Sequence, residues 1–469
     1  MSPGVVERVE AVVVGGGIAG LAAARELSMA GLPVLLLEGS SRLGGKIAGV
    51  RLGHTDLRVD VGAESILVRR PEALQLVASL GLGEQLVHPT PATSRILVEG
   101  RAVDVPTSAM GVPGDVDALS TLLTPTGLER ARREPTLPAP PLPGDIAIGA
   151  LVDERFGPEV TDRLLEPLLG GVYAGHARRL SFAAVNPTLY AAARAGDPLS
   201  QHAASTRRPG SGPVFGGLVG GIAVLVDALV ADLRARGVEV RRAATVRELT
   251  AVGGGYRLTV GPTRNAYRID TRAVVLATPA APTGRLLSGV ATSAGRLAAI
   301  PYASMAVVAL GVRGIEPIGS GLLVPPGQLP TVKAVTHSSN KWAWVAEAAE
   351  RELGAGVHLV RASVGRLGEE RLLQVGDAEL VDRTVAELRG LPGWAGAQVM
   401  SSTLQRWGGG LPQYEVGHRD LVTRLRSELA GCVGLAVCGA EYDGVGIAAC
   451  LGSAATAVNK ITADLGVDR

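Results

Sequence analysis

The chain opens with two apolar runs that are separated by a glycine-rich turn and a helix-forming stretch. Residues 9–14 and 33–37 are dominated by Val and Leu, as expected of strands that are buried on both faces. Residues 21–30 between them favour a helix, and Gly31 is a suitable position for that helix to stop. The pattern therefore predicts a strand–helix–strand unit at the start of the chain.

The middle of the chain has a different pattern. Residues 135–144 are rich in proline, which predicts an extended linker because proline does not continue a helix. After the linker, Asp145 is a candidate cap for a helix. Pro158 suits the first turn of another helix, which Gly170 and Gly171 are expected to end.

The second half of the chain resumes an alternation of helices and strands. Apolar residues at 222, 225, 226, 229, 230 and 233 have helical spacing, and Gly237 closes this predicted helix. A small-residue helix is expected from about Ile447. Short apolar runs predict further strands at 238–240, 256–260, 273–277 and 434–438.

Composition narrows the class of protein. The chain has 469 residues, of which 46% are hydrophobic and 19% charged, so it can form two to four domains with large cores. A net charge of +2 lacks the basic excess of nucleic-acid-binding proteins. The three cysteines have neither disulfide nor zinc spacing, so we expect no metal site and a reducing cytoplasm. No signal peptide or membrane-spanning run is visible.

A glycine motif carries the first chemical signal. Gly15, Gly17 and Gly20 form G-x-G-x-x-G between a predicted strand and a predicted helix. Gly15 permits a tight turn, Gly17 leaves room for a pyrophosphate, and Gly20 lets the helix pack closely on the strand. Glu38, at the end of the second strand, can accept hydrogen bonds from both hydroxyls of a ribose. The motif predicts dinucleotide binding; a packing turn and an exposed glutamate are the alternatives.

Further segments resemble a known family. Residues 41–46 contain a second glycine pair, and residues 60–65 read DVGAES; both resemble the FAD-binding half of the amine oxidase and protoporphyrinogen oxidase superfamily. The match continues in order across essentially the whole chain. The segments most similar to the protoporphyrinogen and coproporphyrinogen III oxidases of haem biosynthesis, above all to the soluble bacterial enzymes, are EPLLGGVYAG at 166–175, RWGGGLPQYEVGH at 406–418 and EYDGVGIAACLGSAATA at 441–457.

The resemblance implies an α/β fold. A Rossmann-like FAD-binding domain of the amine oxidase and GDI type would carry an α+β substrate domain and a helical insert. We expect the FAD-binding domain to be discontinuous, at 1–85, 211–282 and 401–469. The insert, facing the substrate or a membrane, is expected at 86–210, and the substrate-binding domain at 283–400.

The resemblance also implies which residues contact FAD. Val246 would hold the adenine through its backbone, and Trp407 would lie beside the flavin; otherwise they are a buried strand residue and an ordinary core indole. Residues 408–412 offer no Cys or His for a covalent bond, so FAD is expected to be noncovalent. The other expected contacts are Gly15, Gly17, Ile18, Ala19, Gly20, Glu38, Gly39, Arg42, Gly45, Lys46, Gly62, Ala63, Glu64, Ser65, Val445, Gly446 and Ile447.

The implied reaction is the oxidation of coproporphyrinogen III by three O2 to coproporphyrin III and three H2O2. The flavin accepts the hydride, so no catalytic side chain is required. Arg95, Arg69, Arg70 and Lys341 are candidates for binding the substrate carboxylates, and Gly171 for approaching a pyrrole. The alternatives are a solvated strand-edge arginine for Arg95, an exposed loop lysine, which the sequence favours, for Lys341, and a helix cap for Gly171.

Three other functions remain open. Protoporphyrinogen IX oxidase shares the same motifs. An amine or carotenoid-precursor oxidoreductase would lack EPLLGGVYAG, and a non-enzymatic GDI-like binding protein would have no need for both Glu38 and the GVGI turn. We expect a cytoplasmic protein that uses O2 as electron acceptor and binds no nucleic acid. Contact with a membrane surface and transfer of product to a ferrochelatase are further expectations.

Overall fold

The computed structural model describes residues 6–205 and 212–467. Its first sheet joins parallel strands from both ends of the chain to an antiparallel extension. The strand order is Glu239–Arg241, Val34–Leu37, Val6–Val14, Tyr267–Leu276, Gly255–Val260 and Val246–Val252; Leu435–Val437 pairs in parallel with the end of Tyr267–Leu276. The strand–helix–strand unit expected at the start of the chain is confirmed as Val6–Val14, Ile18–Met29 and Val34–Leu37.

The first sheet is buried on both faces, which explains its Val-rich strands. Along Val6–Val14, Ala11 and Val13 face one apolar core while Val12 and Val14 face another. The first core is covered by the helices Ile18–Met29, Pro71–Ser79, Ala223–Ala235 and Ile447–Leu465. The second is covered by Ala280–Leu286, Ala294–Ala298 and His418–Ala430.

A second sheet packs beside the first. Its order is Gln398–Pro412, Tyr302–Arg313, Val357–Val364, Val332–Thr336, Gly321–Leu323, Ser94–Val98 and Arg101–Asp104. Neighbours are antiparallel except for Gly321–Leu323 and Ser94–Val98. The helix Asp377–Arg389 covers one face, and Ser338–Lys341 with Ala343–Leu353 cover the other.

A helical layer is formed by residues 125–205, on both sides of the proline-rich linker. Its helices are Pro125–Arg132, Ile148–Phe156, Pro158–Val160, the π-helical turn Thr161–Leu165, Glu166–Tyr173, Phe182–Val185, Pro187–Ala195 and Leu199–Ser205. The remaining strands form three small sheets. Two are pairs, Gly49–Arg51 with Arg58–Asp60 and Ser108–Ala109 with Val112–Pro113. In the third, the strand Phe215–Leu218 pairs antiparallel with Ile66–Leu67 and with Leu86–Val87.

Two sequence expectations in this layer are wrong. Asp145 does not cap the helix that follows it, because its carboxylate accepts hydrogen bonds from the Ser181 hydroxyl at 2.6 Å and from the Ala183 amide at 3.1 Å. Gly170 and Gly171 do not end a helix. They lie inside Glu166–Tyr173, whose C-cap residue Ala174 has a φ of 50°. A Cβ at either position would make only ordinary contacts, at 3.9 Å with Arg366 and at 3.7 Å with Leu323, so sterics do not require glycine here.

One long strand crosses the domain boundary that was expected at 400/401. The strand Gln398–Pro412 hydrogen-bonds along the second sheet, although most of it was assigned by sequence to the FAD-binding domain. The expected boundary at 210/211 lies outside the described residues, and the division into domains stays a prediction. In the described part of the chain, no helix combines the length and apolar character needed to cross a bilayer.

The second sheet contains a buried lysine. Lys333 is 4% exposed and lies at a register shift between Val332–Thr336 and Val357–Val364. Within the described residues its ammonium makes no hydrogen bond. Burial, followed by the charge of Arg366, lowers the pKa of Lys333 to about 7.

Replacing Lys333 by Met should therefore stabilise the protein. The unfolded chain keeps this lysine protonated up to about pH 10.5, whereas the folded chain releases the proton near pH 7. The free energy of unfolding consequently rises with pH between these values, and Met removes the penalty at neutral pH. We expect a gain of about 2–5 kcal/mol, measured by denaturant or thermal unfolding at pH 7.

Lys460 provides the control, because its ammonium already pairs with Asp464 at 2.5 Å and with the Cys432 carbonyl at 2.9 Å. Lys460→Met should leave stability unchanged or lower it. A Lys333→Met protein that melts below the wild type would contradict the assignment of Lys333 as a destabilising buried charge.

Candidate functional site

A cavity of about 460 Å³ lies at the edge where the parallel strands of the first sheet end. Open α/β sheets bind their ligands at this edge, because the loops that leave successive strands converge there. The second sheet closes the cavity with Trp407 and residues 408–412. Residues that directly follow the parallel strands and line the cavity are Gly15, Gly17, Glu38, Gly39, Ala277, Thr278, Pro279, Gly439, Ala440 and Glu441.

The three glycines of the first motif have different structural roles. Gly15 has φ of 110°, and its amide donates to the Leu37 carbonyl at 2.8 Å, which makes the tight turn. A Cβ on Gly20 would lie 1.9 Å from the Gly15 carbonyl oxygen, so this position must remain glycine for the helix to pack on the strand. Gly17 lines the cavity, and a Cβ there would contact only the Gly45 Cα, at 3.9 Å.

Two helix N-termini open into the cavity. The helix Ile18–Met29 begins after Gly17, and Ile447–Leu465 begins after Gly446; neither N-cap residue supplies a capping side chain. Their first amide groups therefore have hydrogen-bonding capacity that the protein does not use. Because the helix dipole favours negative charge at this end, both termini suit anionic groups of a ligand.

Glu38 is already held at the nucleotide end of the cavity. Its carboxylate accepts hydrogen bonds from the Gly16 amide at 2.6 Å and from the Ser40 amide at 2.7 Å. A carboxylate has about four lone-pair sites, so two remain for hydroxyl donors. The geometry fits the predicted interaction with a ribose.

A buried acid lies further along the cavity. Glu441 accepts a hydrogen bond from the Tyr302 hydroxyl at 2.8 Å, and the Lys46 ammonium lies 4.0 Å from the same carboxylate oxygen. Burial raises the pKa of Glu441, and the charge of Lys46 opposes that rise. The Tyr302 oxygen in turn accepts a hydrogen bond from the Ala280 amide at 2.7 Å, so the hydroxyl is oriented toward the acid.

Trp407 presents its ring to the cavity while its nitrogen is bound elsewhere. The indole Nε1 donates to the Val61 carbonyl at 2.8 Å, and the Arg42 guanidinium lies 5.6 Å from the ring centroid. Arg42 itself donates to the carbonyls of Leu43 and Ile47 at 3.0 and 2.9 Å. It therefore shapes the second glycine loop instead of projecting its charge into the cavity.

The structure brings most of the sequence-predicted cofactor residues together. Those that line the cavity are Gly15, Gly17, Ile18, Ala19, Glu38, Gly39, Gly45, Lys46, Ala63, Val246, Trp407, Val445 and Ile447. The others are not among the lining residues, namely Gly20, Arg42, Gly62, Glu64, Ser65 and Gly446, of which Arg42 and Gly446 are exposed. In particular, the Glu64 side chain is engaged in ion pairs with Lys341 and Arg361.

The five predicted substrate residues are not part of the cavity lining. Arg95 pairs with Asp104 at 2.6 Å, and Arg70 with Glu72 at 2.5 Å. Lys341 lies in the Glu64 ion pair and is only 19% exposed, which differs from the expected surface loop. Arg69 and Gly171 are exposed. Their role in substrate binding stays a prediction.

Several lining residues were missed by sequence reasoning. Ala277 ends the strand predicted at 273–277, and Thr278 and Pro279 follow it, so the rule that ligands bind at strand ends could have found all three. Cys450 also lines the cavity, four residues into a helix whose register the sequence left open. Burial raises the pKa of the Cys450 thiol to about 12, which makes it a weak nucleophile at neutral pH.

The cavity therefore fits an extended dinucleotide. A carboxylate for a ribose, a helix N-terminus for a pyrophosphate and a second N-terminus for an electron-rich ring follow one another along its wall. The second terminus would stabilise negative charge that develops on a reduced flavin.

Comparisons with known proteins agree with this fit. The family model of flavin-containing amine oxidoreductases matches residues 18–462. The coproporphyrinogen III oxidase of Mycobacterium tuberculosis is 36% identical over 464 residues, with 96% of each chain covered. The coproporphyrinogen III oxidase of Bacillus subtilis is 31% identical, with 96% of this chain and 97% of the relative covered.

Solved structures show the same fold. A protein assigned as a protoporphyrinogen oxidase from Exiguobacterium sp. 255-15 has a TM-score of 0.82 and 29% identity, with 99% of this chain and 100% of that chain covered. Cyclohexylamine oxidase from Brevibacterium oxydans has a TM-score of 0.70 at 16% identity, with 98% and 99% covered. The second likeness extends to the fold alone.

The two glycines Gly17 and Gly20 should respond differently to the same substitution. The methyl group of Gly17→Ala would project into the cavity without colliding with any protein atom. We therefore expect weaker FAD binding but nearly unchanged stability of the apoprotein. Gly20→Ala collides with the Gly15 carbonyl and should lower the melting temperature of the apoprotein. FAD titration and thermal melting of both variants measure this. Equal effects on both quantities would refute the division of roles.

Proposed function

Because the chain belongs to the family of flavin-containing amine oxidoreductases, we propose that it is an FAD-dependent oxidase of porphyrinogens, acting foremost on coproporphyrinogen III. The proposed reaction is coproporphyrinogen III + 3 O2 → coproporphyrin III + 3 H2O2. Six hydrogens leave the substrate as three pairs, and each pair reduces one O2.

One observation carries the cofactor part of the proposal. Glu38 and the N-termini of the helices Ile18–Met29 and Ile447–Leu465 border one continuous cavity, and they suit, respectively, the adenosine ribose, the pyrophosphate and the flavin of FAD. The substrate part is supported by relatives of nearly equal length that are named coproporphyrinogen III oxidase.

The chain's residues would bind and orient the cofactor. Glu38 would hold the adenosine ribose, the amides after Gly17 the pyrophosphate, and the amides after Gly446 the flavin's electron-rich edge. Bound FAD would supply the two-electron oxidation, by accepting a hydride from the porphyrinogen and passing the electrons to O2. Trp407, with its nitrogen bound to the Val61 carbonyl, would form a fixed apolar wall beside it.

Noncovalent attachment is part of the proposal. Residues 408–412 contain no Cys or His, and the one cysteine among the described lining residues, Cys450, is held in its protonated form by burial. Acid precipitation should therefore release the yellow colour into the supernatant.

Protoporphyrinogen IX is the second candidate substrate. The protoporphyrinogen oxidase of Macaca fascicularis is 30% identical to this chain, with 94% of this chain and 96% of the relative covered. Coproporphyrinogen III carries four propionates and protoporphyrinogen IX carries two, so cationic residues near the cavity would favour the former. We further infer action in the cytoplasm, contact with a membrane surface and transfer of the product to a ferrochelatase.

An oxygen assay tests the reaction class. With coproporphyrinogen III in air, porphyrin fluorescence should appear with about three H2O2 per porphyrin. Under argon, formation should stop once the bound flavin is reduced, and NAD or NADP should change nothing. Sustained anaerobic turnover with NAD would refute the oxidase assignment. Running protoporphyrinogen IX in parallel ranks the two substrates by kcat/KM.

Alanine variants of Arg95, Arg69 and Arg70 test the carboxylate anchors. A propionate is remote from the reacting bridge and is bound alike before and during hydride transfer, so KM should rise while kcat stays the same. One partly exposed ion pair contributes ~1–3 kcal/mol, or roughly a 5- to 150-fold increase in KM. Arg132, which pairs with Asp117 on the helical layer at 2.7 Å, is the matched control.

The comparison assigns each arginine separately. Replacing an anchor by alanine should raise KM for coproporphyrinogen III more than for protoporphyrinogen IX, whereas Arg132→Ala should leave both KM values unchanged. If all three variants keep the wild-type KM, the substrate carboxylates bind elsewhere.

A further inference from the structure

One wall of the cavity is formed by a short segment, residues 61–65, between two small strands. Ala63 lines the cavity directly. The segment's outer backbone groups are held from the second sheet: Trp407 donates to the Val61 carbonyl at 2.8 Å, and Arg361 Nη2 donates to the Gly62 carbonyl at 2.8 Å. Its position is therefore determined by a sheet that carries none of the nucleotide-binding glycines.

The same arginine also binds a buried carboxylate in this segment. Glu64 pairs with both Arg361 and Lys341, and these side chains are 14%, 10% and 19% exposed. Burial would raise the pKa of Glu64, but the two cations lower it to about 2. The carboxylate is consequently ionised at neutral pH, and it requires its partners because a lone buried charge is strongly destabilising.

The cluster connects three parts of the fold. Arg361 belongs to Val357–Val364, and Lys341 ends the short helix Ser338–Lys341 that packs on the same sheet. On the other side of the segment, Asp60 accepts hydrogen bonds from the amides of Ile222 and Ala223 at 2.8 and 3.3 Å, where the helix Ala223–Ala235 begins. The segment is thus fixed between the second sheet and a helix of the first.

The backbone at Gly62 has little freedom on its inner side. A Cβ there would lie 2.0 Å from the Lys46 carbonyl oxygen and 3.3 Å from the Trp407 ring. The Ala63 amide also donates to the Lys46 carbonyl at 3.1 Å. Loss of Arg361 would leave the Gly62 carbonyl without its donor on the second sheet, and the close contact with Lys46 bars movement of the segment in the opposite direction.

We propose that Arg361, supported by Lys341, is a positioning residue for the flavin: it binds the Gly62 carbonyl and the Glu64 carboxylate together and so holds the 61–65 wall against the cofactor. A guanidinium suits this task because its planar fork bonds two acceptors at once in a fixed geometry. FAD affinity then depends on a residue that does not touch the nucleotide. The proposal rests on the proposed FAD site and is independent of which porphyrinogen is oxidised.

The test is a titration of FAD into apoprotein that carries Arg361→Gln, with binding measured by flavin fluorescence. We expect the Kd for FAD to rise tenfold or more. Arg155→Gln is the matched control, since Arg155 is also buried, pairs with Glu134 at 2.8 Å and donates to a backbone carbonyl, that of Pro138, at 2.7 Å, but lies in the helical layer. It should lower the melting temperature and leave the Kd for FAD within twofold of wild type.

A second variant keeps the test decisive if Arg361→Gln does not fold. Glu64→Gln with Arg361→Gln removes one charge of each sign, so the net charge of the cluster is unchanged and Lys341, which is 19% exposed, is the one cation of the cluster that loses its partner. The Gly62 carbonyl still loses the guanidinium. We expect this double variant to fold and to bind FAD at least tenfold more weakly. A Kd within twofold of wild type in either folded variant, or an equal loss of affinity in Arg155→Gln, would overturn the positioning role.

Discussion

The site depends on how closely the helix Ile18–Met29 approaches the strand Val6–Val14. With no side chain at Gly20, the helix packs so near the turn that a Cβ would almost coincide with the Gly15 carbonyl oxygen. This approach aims the helix N-terminus along the strand ends, where its unused amides reach the cavity.

The second sheet completes what the first begins. Parallel strands supply one edge with converging loops, but that edge is open on the side of the flavin. Trp407 and residues 408–412 close it, and Arg361 and Trp407 hold the 61–65 segment in place through backbone carbonyls. The cavity is therefore a product of two sheets, although the nucleotide-binding pattern belongs to one.

Charge in this region is used mainly to build the cavity. Arg42 binds loop carbonyls, Lys341 and Arg361 compensate Glu64, and Lys46 lies opposite the buried Glu441. Because bound FAD would supply the two-electron oxidation, the residues around it can serve shape and electrostatics. This agrees with a site in which glycines and backbone amides, more than reactive side chains, determine the chemistry.

The sequence by itself determined the strand–helix–strand unit, the roles of Gly15 and Gly20, and the strand that precedes the second helix N-terminus. These features are local, since a buried strand and a glycine turn impose their composition on neighbouring residues. Tertiary structure alone decided that Gly170 and Gly171 lie within a helix, that Asp145 binds distant amides, and that Lys341 meets Glu64. The contacts of Asp145 and Lys341 depend on partners far along the chain, and residue type and spacing carry no record of such a partner.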